Sequence, residues 1–272
     1  MGTISGRRWV RDALILAIGR VRQTLGLAQK GKRVIAFHEI QEPELFRQKM
    51  AWLVAHYEVV SLEGLINRPW GEKTQVAITF DDGYASWHET AAPILADLKI
   101  PATFFVCSGF VGLSGHAAKD FSQRYLRRQQ APRPISRVQL EELAAHPPFE
   151  IGSHTVHHVN LGRPLDEEML AAEISEDKSR LETWTGVPAR WFAYPFGGSQ
   201  HVSAQAVEFV KGAGFQGAFT LVPGNWRPGE DKFRIGRDGL NPAQPVWLWR
   251  AWLDGAYDDL YALKQLFPQV QE

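Results

Sequence analysis

The chain has 272 residues, enough for one large domain with a well-buried core. Its apolar and charged fractions are those of an ordinary globular protein, which excludes disordered and fibrous classes. Lys and Arg balance Asp and Glu at zero net charge with no basic block, so nucleic acid is not an expected partner.

The N-terminal stretch "RRWVRDALILAIGRVRQTLGL" begins like a secretory signal, but Asp12 interrupts its apolar run, Arg20 ends it, and no small-residue cleavage site follows. Val10, Leu14, Ala17 or Ile18, Val21 and Leu25 recur at helical spacing, with Arg8, Arg11 and Arg22 elsewhere. The pattern predicts an amphipathic helix within residues 1–30. Residues 7–29 are expected either to pack on the chain's own domain or to lie on an anionic membrane surface. No apolar run approaches the ~20 residues of a membrane span. The resulting expectation is a cytoplasmic protein, peripheral at the inner membrane if that helix is lipid-bound.

From residue 31 to 272 short apolar β-like runs alternate with helical patterns, and nothing divides the chain into repeats or linked parts. "RVIAFH" reads as a strand, Pro43 opens a helix to about His56, "YEVVSL" is a short strand and "QVAITF" a stronger one. Residues 85–98 form a helix before the strand "ATFFVCSGF", whose Cys107, the single cysteine, reads as a small buried hydrophobe. Residues 108–135 show no clear period and are read as an insertion or lid. A helix near 137–145, the strand "FEIGSH", a long helix over 165–184, "RWFAYPFGG", a helix at 201–213, "FQGAFTL", "KFRIGR" and a C-terminal helix from about Pro245 complete the chain. Such alternation predicts one α/β domain around a mostly parallel sheet or barrel. Polar residues at C-terminal strand ends then mark the site: His38, Asp81 with Asp82, His154, and the turn "AYPFGG".

In "SHTVHH", His154 and His158 are four residues apart, a spacing that sets both rings on one side of a helical turn, with His157 directed elsewhere. Two neutral imidazoles and one carboxylate form a recurrent catalytic metal arrangement. Asp81 and Asp82 supply carboxylates at another strand end, and strand alternation aims them differently, so one can bind a metal while the other stays free as a base.

"TFDDG", "HTVHH" and "FAYPFG" occur in the order of the first three motifs of the polysaccharide deacetylase family, the NodB-homology or carbohydrate esterase family 4 domain, which the chain resembles from about residue 33 to 240. The resemblance implies a distorted (β/α) barrel and hydrolysis of N-acetyl groups on amino sugars of a surface polysaccharide or its lipid-linked precursor. It implies Asp82, His154 and His158 as ligands of a divalent metal, zinc first and cobalt or nickel next. It makes Asp81 the general base and the Phe196 amide an oxyanion donor. The chain departs from the family at two points. No histidine follows residue 240 to act as the acid, and "RVIAFHEI" resembles the first-strand motif of the poly-N-acetylglucosamine deacetylase branch, which makes His38 the candidate. Ala193 stands where many members carry an arginine that pairs with the base, so Arg234 or Arg237 is expected to supply that guanidinium. Asp238 is then expected to orient His38 or an arginine, and Trp226 or Tyr194 to line an acetyl pocket. The alternatives are a deacylase or deformylase of another amide, or a catalytically silent carbohydrate-binding barrel.

Overall fold

The computed structural model describes residues 3–25, 31–130 and 132–266, so residues 1–2 and 26–30 of the expected N-terminal segment lie outside the described residues. Strands β1 (Lys32–Phe37), β2 (Glu58–Val59), β3 (Gln75–Asp82), β4 (Ala102–Val106), β5 (Phe149–Ser153), β6 (Trp191–Ala193), β7 (Gly217–Phe219) and β8 (Asp238–Gly239) form one sheet. Its order is β7-β6-β5-β4-β3-β1-β8, with β2 paired to the start of β3, and every pairing is parallel. Backbone bonds from Ile235 to Ala218 and from Thr220 to Ile235 tie β7 to the segment entering β8. The two edges thereby meet, and the sheet curls into the distorted barrel that alternation predicts.

Helices α2 (Pro43–His56), α3 (Leu62–Asn67), α4 (Ala92–Asp97), α5 (Gly115–Arg124), α6 (Arg137–Ala144), α7 (Glu167–Leu170), α8 (Glu176–Thr185) and α9 (Ala204–Gly212) lie in the connections. Their local chemistry sets their starts: Pro43 is at the first turn of α2, Ser136 and Gln139 form a capping box on α6, and the Asp166 carboxylate caps α7. Strand alternation divides the core. On β3, Val76, Ile78 and Phe80 pack outward with the helices, while Ala77 joins Val34, Phe105, Trp191, Ala193 and Phe219 inside the barrel.

Several elements differ from the sequence reading. The insertion holds the regular helix α5, whose one-sided apolar surface buries Ala118 and Phe121. "KFRIGR" forms no regular strand; its Ile235 makes one bridge and the ladder starts only at Asp238. The long helix over 165–184 is two helices joined by a π turn at Ala171–Ser175, and the C-terminal helix is two, α10 (Val246–Leu253) and α11 (Ala256–Leu266).

At the N-terminus, α1 (Thr3–Thr24) packs on α10 and α11 through Ile15 and Gly19, where a methyl on Gly19 would stand 3.0 Å from the Ala251 side chain. Of the apolar row picked out by spacing, Ile18 packs partly against the core, whereas Val10, Leu14, Val21 and Leu25 are 47% to 64% exposed. No helix among the described residues is long and apolar enough to cross a membrane.

Candidate metal and catalytic site

The site lies at the C-terminal ends of the strands, where β3 carries both aspartates. Thr79 and Asp81 alternate with the outward Ile78 and Phe80 and so face the barrel interior. There Arg237 meets Asp81 twice, Nη1 to Oδ1 and Nη2 to Oδ2, each at 2.7 Å. The same guanidinium donates to Thr79 Oγ1 at 3.0 Å and to the Thr220 carbonyl at 3.1 Å, and it is fully buried. Burial pushes the Asp81 carboxyl up, but the Arg237 charge and its bonds, with nearby His154 and His38, bring it down to about 2. Asp81 is therefore a fixed carboxylate. With a methyl at Ala193, the guanidinium reaches the aspartate from position 237 instead.

Asp82 leaves the strand at φ 91°, and Gly83 follows at φ 116°, a region that favours glycine. This turn lifts the Asp82 carboxylate away from Asp81 and toward the histidines. The Tyr84 hydroxyl donates to its Oδ2, whereas buried Oδ1 has no hydrogen-bond partner among the described residues. Oδ1 instead faces His154 Nε2 at 3.7 Å and His158 Nε2 at 3.5 Å.

The two histidines do not share a helical turn. Residues 154–160 are irregular, with Thr155 at φ 66° and His158 at φ 51°, and this doubly left-handed loop brings the rings together. The local reason is that each ring is held by a distant carbonyl. Nδ1–H of His154 donates to Ala193 O at 2.7 Å, and Nδ1–H of His158 to Tyr125 O at 3.1 Å. Each bond selects the tautomer whose Nε2 lone pair faces Asp82. Burial lowers both imidazoles below their ordinary value, His158 to about 4, so they stay neutral. Burial also acts against the Asp82 carboxyl, yet nearby His38 and the bond from the Tyr84 hydroxyl hold it below the usual carboxylate range.

Asp82, His154 and His158 place their donor atoms within 4.8 Å of one another. Two neutral nitrogens and an orphaned buried carboxylate oxygen fit a divalent cation, which would give Oδ1 the partner it lacks. The donor set suits zinc and also cobalt or nickel.

Of the other expected residues, His38 follows β1 directly, is half-buried and lines a cavity of about 310 Å³ with Glu39, Gln41, Arg128 and Asn241. Phe196 sits at φ 62°, its ring 4.5 Å from that of His158 between centroids, and its amide has no partner among the described residues. Gly197 follows at φ 60°, where a side chain would strike the Leu221 backbone. His157 turns away to Glu173 at 2.8 Å. Asp238 does not orient His38; it is paired at 3.1 Å with buried Arg33. Trp226 packs beside Lys32 at the start of β1, and the Tyr194 hydroxyl donates to Phe233 O. Cys107 is buried with its thiol directed at His154 O, and burial raises its pKa well above ordinary, which makes it inert.

Two contributors escape the sequence reading. Tyr84 is signalled only by its place in "DDGY". Asp177, buried on α8, accepts from the Ser108 and His154 amides and the Ser153 hydroxyl at 2.5 to 3.1 Å, clamping the ends of β4 and β5. Nothing in the period of α8 marks it.

Fold and site together define a curled parallel α/β barrel with a three-residue site for a divalent ion and a guanidinium-held carboxylate beside it. The family model described as "Polysaccharide deacetylase" matches residues 70–218, more than half of the chain, and the chain belongs to that family. Among curated relatives, "Putative polysaccharide deacetylase YxkH" of Bacillus subtilis is 24% identical over 179 residues, covering 66% of this chain. The chain spans 56% of that relative's length. "Poly-beta-1,6-N-acetyl-D-glucosamine N-deacetylase" of Staphylococcus epidermidis is 27% identical over 242 residues, covering 83% of this chain and 78% of the relative. The solved structure of IcaB from Ammonifex degensii shares the fold, with TM-score 0.68 at 24% identity over 83% of this chain and 98% of that one.

Proposed function

We propose that this chain removes the acetyl group from N-acetylated amino sugars of a surface polysaccharide or its lipid-linked precursor. The observation that carries the reading is the orphaned Asp82 oxygen facing two Nε2 lone pairs, with Asp81 held ionised beside it by Arg237. A divalent cation bound by Asp82, His154 and His158 supplies Lewis-acid polarisation of the amide carbonyl and lowers the pKa of water.

The protein's own groups do the rest. Asp81, free of the ligand set, accepts the proton of the attacking water as its oxygen bonds to the carbonyl carbon. The unpartnered Phe196 amide donates to the oxyanion that develops. His38, at the next strand end, gives a proton to the sugar nitrogen as the C–N bond breaks, leaving acetate and a free amine. Arg237 positions Asp81 without touching substrate.

An acetate-release assay over N-acetylglucosamine oligomers, with zinc, cobalt and nickel added in turn, tests this reading. Turnover lost in Asp81→Asn and depressed in His38→Gln is expected. Release of formate but not acetate from matched amides would move the activity to a deformylase, and sugar binding without turnover would favour the silent barrel.

The exposed α1 row (Val10, Leu14, Val21, Leu25), with exposed Trp247 near the same helix, supports peripheral contact with an anionic membrane surface. Leu14→Ser/Val21→Ser should abolish co-sedimentation with phosphatidylglycerol vesicles; unchanged sedimentation would refute the contact.

A further inference from the structure

Two consecutive arginines of the insertion, Arg127 and Arg128, have no part in the reaction above, yet both stand at the site. Arg127 sits at φ 54°, a left-handed conformation that costs a residue with a β-carbon on the order of 1 kcal/mol or more. The turn sends the two side chains to opposite flanks. Over the Phe196 ring, the Arg127 guanidinium lies 4.6 Å from the centroid, and that ring abuts His158. Over the Tyr84 ring, the Arg128 guanidinium lies 5.8 Å from the centroid, and the Tyr84 hydroxyl donates to Asp82. Each ring beside the metal site therefore carries one guanidinium at cation–π distance.

Their neighbours in the fold set these two apart. Arg124, Arg133 and Arg137 are all paired with carboxylates, to Asp120, Glu89 and Glu141. Among the described residues, Arg127 and Arg128 have no carboxylate partner, and both are exposed. Arg163, on the loop after His158, is exposed and has no carboxylate partner among the described residues. Its charge and that of Arg127 reach His201, whose ring is 5.3 Å from that of Phe196. Glu39 is the acidic group on the adjoining cavity, and it already accepts from Gln41. In a chain of zero net charge, the mouth of the site is thus locally positive.

Among the described residues neither guanidinium donates a hydrogen bond to a protein group, so both N–H forks, the edge that binds phosphate oxygens in pairs, are free for a ligand. Resting on the deacetylase reading of this site, we propose that its substrate is an amino sugar carrying a phosphate or pyrophosphate ester, whose oxygens Arg127 and Arg128 bind at the mouth of the site. A prenyl-pyrophosphate sugar and a nucleotide-diphosphate sugar share that chemistry.

The test compares the full chain with Arg127→Gln and Arg128→Gln, both at exposed positions, with thermal unfolding to check that each variant is folded. Calorimetry measures affinity for N-acetylglucosamine 1-phosphate and for neutral methyl N-acetylglucosaminide at 50 and 500 mM NaCl. Acetate release is measured on the neutral sugar oligomer, on UDP-N-acetylglucosamine and on prenyl-pyrophosphate N-acetylglucosamine. We expect the phosphorylated ligand to bind at least tenfold tighter at low salt, a margin that shrinks at high salt. Each variant should cut the phosphorylated-to-neutral ratio by roughly tenfold to a hundredfold, the range for losing a hydrogen bond to a charged group. The better of the two phosphorylated substrates then identifies the source. Equal affinity for both ligands, or variants that keep the full preference, overturns the proposal; so does a uronate-bearing oligomer that binds as well as the phosphate. Turnover of neutral oligomers with no phosphate preference sinks the arginine clamp and leaves the deacetylase reading standing. Phosphate-selective binding lost in the variants, with no acetate released from any substrate, does the reverse.

Discussion

Replacing Arg237 with Met tests the central electrostatic claim. In the native protein Asp81 has a folded pKa of about 2 against an ordinary 3.8, worth on the order of 2 kcal/mol at 1.36 kcal/mol per pH unit. The folded pKa is depressed, so that stability is present above 3.8 and is lost as pH falls through about 2. Removing the guanidinium leaves the burial that opposes ionisation and deletes the bonds to Thr79 and Thr220. Asp81 then titrates above its ordinary value, and the sign reverses: the variant gains stability as pH falls. The stability gap between native protein and Arg237→Met should widen by up to about 1.4 kcal/mol per pH unit from pH 4 upward, reaching about 3–5 kcal/mol near neutrality. Urea unfolding of the metal-free proteins from pH 4 to 7.5 measures it, and the difference cancels every other titrating group. In an Asp81→Asn background the pH dependence of the gap should vanish. A gap that is constant with pH, or that survives Asp81→Asn unchanged, would refute the reasoning.

Zinc affinity, followed by competition with a chelator, should stay nearly flat from pH 7 to 5.5, because burial keeps His154 and His158 neutral, His158 down to about 4. Two ordinary imidazoles would already have cost roughly a hundredfold at pH 5.5, and that loss would disprove their burial. Zinc at a hundredfold excess over its Kd should stabilise the native protein by about 2.7 kcal/mol. Asp82→Asn should abolish most of that shift in thermal unfolding. Asp177→Ala strips three buried donors of their acceptor, at about 1–3 kcal/mol each. It should destabilise by roughly 3 kcal/mol or more and weaken zinc binding, whereas a loss under 1 kcal/mol would show the clamp to be dispensable. Gly83→Ala meets no atom closer than 3.8 Å, so its cost is conformational alone, about 1–3 kcal/mol by urea unfolding; a neutral result would mean that the turn relaxes.

Much of the site was readable because its signals are local. Period-two alternation in "AITFDD" separates Asp81 from Asp82, and strands ending in Asp or His point to one end of a parallel barrel. Where local period was asked to set a loop it failed: the four-residue spacing of His154 and His158 suggested a helical turn, but two left-handed residues and the carbonyls of Ala193 and Tyr125 set the rings.

The sequence by itself determined the residue types of the site, their order, and the alternation that keeps the two aspartates apart, since these depend on neighbours a few positions away. Only the tertiary structure decided that Arg237 rather than Arg234 holds Asp81 across 156 positions, that Asp238 serves Arg33, and that Arg127 and Arg128 flank the ligands. It also turned Val10, Leu14, Val21 and Leu25 of α1 outward and packed the helix through Ile15 and Gly19. These choices follow from barrel closure and from which surface a neighbouring helix covers, and no periodicity along one segment carries that information.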